Sequence, residues 1–113
     1  MLTERQYTAA IDISSSGDNI IITAPTSTAG PSAYVAIDHI NLIPTTAVSL
    51  IFKSGTNELS GTYPLDAKQT IVLDNSTASQ YGVIKCNPNE NFIINLGGAV
   101  QVSGFVNYRI CNY

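Results

Sequence analysis

Apolar residues in this chain recur with a period of two and nowhere hold a period of 3.6, which restricts it to strands. The alternation is plainest in the last run, AVQVSGFVNYRI at 99–110. Val100, Val102, Val106, Tyr108 and Ile110 fall on one face, and Gln101, Ser103, Phe105, Asn107 and Arg109 on the other. A strand of this kind belongs to a sheet covered on one side. Gly104 interrupts the inner row, as a bulge or a close backbone contact does.

Turn chemistry divides the rest into similar runs: YTAAIDI (7–13), NIIITA (19–24), YVAIDHINLIP (34–44), VSLIFKS (48–54), TIVLD (70–74), GVIKC (82–86) and NFIINL (91–96). SSSGDN between the first two suits a tight connection, so the spacing predicts a hairpin around Ser14 to Asp18. Gly30-Pro31 makes TSTAGPSA a loop. SGTNELSG reads as a turn: Gly55 and Gly61 permit reversal, and Asn57 tolerates left-handed geometry. ELSG and LDAKQ have room for one helical turn each. The expectation is an all-β fold: an antiparallel two-sheet β-sandwich, jelly-roll-like, of about eight strands. At 113 residues, positions 1–113 form one domain. Residues 1–6 precede the first alternating run and read as a flexible N-terminal arm.

Composition narrows the function. Charged residues make up 12% of the chain, against ~25% in ordinary domains, so the surface is built mainly from small polar side chains. The five basic residues, Arg5, Lys53, Lys68, Lys85 and Arg109, are scattered singly, whereas a phosphate backbone needs several together; nucleic acid is not an expected partner. No run approaches the length of a membrane span and the N-terminus has no apolar signal core, so neither a membrane nor secretion is expected. Without an export signal, Cys86 and Cys111 read as two buried or half-buried thiols and not as a bridge. Asn75-Ser76-Thr77 fits a glycosylation sequon but, by the same argument, reads as a loop.

Catalytic chemistry is sparse. His39 is the sole histidine, and its neighbour Asp38 should point to the opposite face of the strand, so the two make no dyad. A metal would need further ligands from other strands. Asp12, Asp18, Asp38, Glu58, Asp66, Asp74 and Glu90 lie mostly in turns or near strand ends, where caps and Asx-turns explain them. GGAV lacks the further glycine and helix of a dinucleotide site. There is no Trp; Tyr34, Tyr63, Tyr81, Tyr108 and Tyr113 could stack on sugars but are also normal strand residues. No catalytic, cofactor-binding or metal-binding residue is expected, and the chain does not read as an enzyme.

Several short motifs follow one another in a set order. They are Ser16-Gly17-Asp18-Asn19, Lys53-Ser54-Gly55, Leu59-Ser60-Gly61, Pro64-Leu65 and the stretch Asn95 to Gly104. From Gly17 to Tyr108 this pattern resembles a small β domain of tailed-bacteriophage structural proteins, the head decoration (cement) proteins. The resemblance implies a virion structural protein that binds the outside of a phage head as a homotrimer, over threefold positions between capsomers, and stabilises it. Its partners would be itself and the major capsid protein. Its place would be the capsid outer surface, after assembly in the host cytoplasm. TSTAGPSAY and LDNSTASQYG depart from the pattern, so the docking mode does not carry over. Contact candidates are Leu2, Glu4 and Arg5 in the arm, with Phe105 and Tyr113 as apolar anchors. The rival reading is a receptor- or carbohydrate-binding module of a phage fibre or tail.

Overall fold

A computed structural model describes residues 5–25, 32–76 and 79–111. They form ten strands: β1 (Gln6–Ile13), β2 (Gly17–Ile22), β3 (Tyr34–Pro44), β4 (Val48–Ser54), β5 (Asn57–Glu58), β6 (Tyr63–Leu65), β7 (Ile71–Asp74), β8 (Ile84–Lys85), β9 (Phe92–Leu96) and β10 (Val102–Cys111). No helix occurs among the described residues. One sheet has the order β1-β10-β3-β7, with β8 also on β3; the other has β2-β9-β4-β5, with β6 also on β4. All pairings are antiparallel.

The pairings are nested. The first strand pairs with the last, β2 with β9, β3 with β7 and β8, and β4 with β5 and β6. The chain is thus a long double ribbon, folded back at Gly55-Thr56 and wound across two sheets, which is a jelly roll. Ten segments occupy eight strand positions, because two strands are broken. β5 and β6 pair opposite ends of β4, and β7 and β8 pair successive stretches of β3. In the segment that reads as a turn, the chain does reverse at Gly55-Thr56, while Ser54 closes β4 and Asn57-Glu58 form β5. Within it Gly55 alone has positive φ, at 56°, as the first position of a two-residue hairpin loop requires; Gly61 and Asn57 do not.

The hairpin expected around Ser14 to Asp18 does not form. β1 pairs β10 and β2 pairs β9, in different sheets. Ile11 and Ile22 explain why: each is almost fully buried in the same cluster, which they reach only from facing sheets. Gly17, with φ 87°, lets the chain step across. β1 already begins at Gln6, so the inner end of the expected arm belongs to the sheet. Residues 1–4 lie outside the described residues.

The core lies between the sheets. Val35, Ile37, Ile40 and Leu42 of β3 and Val102 and Val106 of β10 face Leu50 and Phe52 of β4 and Phe92, Ile94 and Leu96 of β9. Phe52 and Phe92 stack with centroids 6.1 Å apart. Burial of each such side chain stabilises the fold by about 1.5–3 kcal/mol. Both cysteines are free and buried, Cys86 in this core and Cys111 beside Tyr34 and Ala36 on the outer side of the first sheet.

Candidate functional site

The site begins with a change of parity in β3. Val35 and Ile37 face the core, and so do Ile40 and Leu42, so one residue between them is extra. The register with β10 shows it: His39 lies opposite Asn107 and Ile37 opposite Tyr108, leaving Asp38 as a bulge. A bulge turns two consecutive side chains to the same side. Asp38 and His39 therefore both reach the outer face of the sheet, contrary to the alternation expected from sequence.

They still make no dyad, because each has another partner. Asp38 Oδ2 accepts from Arg109 Nε at 2.7 Å and Asp38 Oδ1 from Arg109 Nη2 at 2.9 Å. Arg109 is wholly buried and Asp38 nearly so. Gln6 Nε2 and Asn75 Nδ2 donate to the same carboxylate at 3.0 and 3.3 Å. Burial alone would raise the Asp38 pKa. The hydrogen bonds from Arg109, Gln6 and Asn75, with the Arg109 charge, outweigh it and hold the carboxyl below its ordinary value. Arg109 is covered because the chain between β7 and β8 folds over it. Asn75 N–H bonds Asp38 O, Val83 N–H bonds Ile37 O, and in between the carbonyls of Ser79 and Gln80 accept from Arg109 Nη2. Gly82 makes the return possible: its φ is 73°, and a Cβ there would strike the Ile37 carbonyl.

His39 pairs instead with Asp74, Nδ1 to Oδ1 at 3.2 Å, and its ring stacks on Phe105 at 5.4 Å and 22°. On β10, Asn107 accepts from Thr8 Oγ1 at 2.8 Å. These side chains, with Gln6, Asp38 and Asn75, line an open pocket of about 340 Å³ on the outer face of the first sheet. It has a buried ion pair in its floor, one aromatic wall and several amide and carboxylate groups. Among the described residues that line it there is no serine, cysteine or lysine to act as a nucleophile. No group of three or more metal-ligating side chains occurs among the described residues. Burial pushes the Cys86 thiol up to about 12, against a hydrogen bond with Ser54 that lowers it, so it is not a thiolate at neutral pH.

Phe105, expected as an anchor, is 38% exposed and forms a wall of this pocket. Arg5 is exposed just before β1. Leu2, Glu4 and Tyr113 lie outside the described residues. Of the tyrosines, Tyr34 is buried, Tyr108 stacks on Tyr7, and Tyr63 sets its edge against Phe52. Sequence reasoning missed Gln6, Asp74, Asn107 and Arg109 as members of one site. A signal existed for Arg109: in so charge-poor a chain, an arginine between Tyr108 and Ile110 in a strand calls for a buried acidic partner.

No protein-family model, no curated protein and no solved structure matches this chain.

Proposed function

We propose that the chain is a virion structural protein that binds the outer surface of a phage head as a homotrimer and reinforces it. The observation that carries this reading is the convergence of motifs on which the resemblance rests. Asp18 of the first motif accepts from Lys53 of the second at 3.0 Å and from Asn95 of the last at 2.7 Å. The motif residues thus tie β2, β4 and β9 together within a jelly roll, an architecture common in capsid proteins.

The outer edge of β1, which has no strand partner among the described residues, supports self-assembly. It spans eight residues in unbroken register with β10, and it carries none of the proline, lysine or bulge that commonly blunts a free edge. A closed ring of copies covers such an edge without open polymerisation. Exposed apolar side chains, Ile20, Val72, Ile43 and Phe105, add contact area to a weakly charged surface. Reinforcement follows by mass action, because a ligand of the assembled shell alone stabilises the shell. Three linked attachment points raise the effective concentration of each. Co-sedimentation tests this: the protein pellets with expanded heads at saturable stoichiometry, and failure to pellet at any salt concentration overturns the reading.

A further inference from the structure

The pocket on the first sheet presents polar groups that the fold itself does not use. Three of its polar groups have a hydrogen-bonding atom with no partner among the described residues. Gln6 donates through Nε2 to Asp38, leaving its carbonyl oxygen. Asn107 accepts from Thr8, leaving its amide N–H groups. Asp74 meets His39 through Oδ1, leaving Oδ2. In the neutral imidazole, a proton on Nδ1 faces that carboxylate and leaves Nε2 as an acceptor. Beside these stands the stacked pair of His39 and Phe105.

We infer that this pocket binds a single neutral sugar ring. A ligand that uses the site must donate to Gln6, Asp74 and His39 and accept from Asn107, while presenting C–H groups to an aromatic wall. Sugar hydroxyls do both at once, and the C–H face of a pyranose packs on an aromatic ring. An anion is disfavoured by Asp74, since the buried Arg109 charge is already matched by Asp38. A simple ammonium leaves the Asn107 donor unused. The volume, about 340 Å³, lies at the small end of ligand sites and suits one ring rather than a chain. All five side chains stand on strands, so the site is held in place without ligand.

The test is an amide ¹H–¹⁵N titration of the whole protein with the methyl glycosides of glucose, galactose, mannose and N-acetylglucosamine, with butylammonium and glucuronate as charged probes. Shifts at Gln6, His39, Asp74, Phe105 and Asn107 are expected with at least one neutral glycoside at ~50 mM, which fills a site of ~1 mM affinity. Phe105→Ala and Asp74→Ala should each weaken that binding at least ~tenfold, equivalent to ~1.4 kcal/mol. Both positions are exposed, and an unchanged spectrum elsewhere verifies folding; if one variant misfolds, the other carries the test. No shift with any neutral glycoside overturns the inference. So do shifts that survive both substitutions, or shifts produced only by a charged probe. Co-sedimentation with heads is a separate measurement, and its failure leaves this inference standing.

Discussion

Arg109 and Asp38 decide how the outer face of the first sheet is built. A buried pair of this kind adds little compared with a well-packed apolar replacement, but removal of one partner strands a charge, at a cost of about 3–5 kcal/mol. Arg109→Met should therefore lower the urea-derived unfolding free energy by about that much, and Asp38→Leu with Arg109→Met should recover part of it. Recovery by the double variant separates charge pairing from packing. The same residue shapes the acid response. Asp38, Asp18 and Glu90 all sit below their ordinary pKa: Asp38 despite burial, Asp18 mainly through the hydrogen bond from Asn95, and Glu90 mainly through that from Ser54. Depressed carboxylates bind fewer protons in the folded chain than in the unfolded one, so their stabilisation is complete above the ordinary range and is lost as pH falls below ~4. Urea midpoints measured from pH 7 to pH 2 should show this loss. Asp38→Asn should flatten it more than Asp18→Asn, because the Asp18 side chain is 43% exposed and screened. At the thiols, the expectation is no dependence of the thermal midpoint on reductant and no reaction of Cys86 with iodoacetamide until the chain unfolds.

Among the elements, β10 carries the sharpest test of the packing. Gly104 lies on its inner row, and a Cβ there would run into the Asn41 carbonyl oxygen and Leu42 Cα, both backbone. Gly104→Ala should destabilise by about 1–3 kcal/mol through forced separation of β10 from β3. Gly98→Ala, with nothing within 4 Å, should change stability by less than ~0.5 kcal/mol, which makes it the matched control in the same denaturation series. Gly104 also shows what the sequence made legible: a glycine breaking an apolar row announced a close approach, and that is what it permits. The long runs were equally readable, since 34–44 and 48–54 each satisfy two facing neighbours and coincide with β3 and β4. β5 and β6 were not, because two or three residues pairing one edge leave no period to detect. The β1–β2 crossing and the bulge at Asp38 were hidden for another reason: both depend on partners 70 or more residues away, Arg109 being 71 from Asp38. Without the bulge, Asp38 and His39 are assigned to opposite faces and the pocket cannot be seen in the sequence.

For the whole molecule, the proposed function requires assembly. Residues 1–5, which precede β1, are proposed to contribute to attachment to the shell. Gln6 belongs to the sheet and bonds Asp38, so the informative deletion is residues 1–5. That variant should fold, keep the oligomeric mass of the parent and pellet less with heads; unchanged pelleting would leave the arm without a role. The trimer itself, at three times 12.0 kDa, should appear by sedimentation equilibrium at tens of micromolar. The most direct measurement of the central claim is electron cryomicroscopy of expanded phage heads incubated with the protein. Three jelly rolls clustered on the outer surface at threefold positions between capsomers are the expected result. Heads that stay bare at saturating protein, or density for isolated single copies, would contradict it.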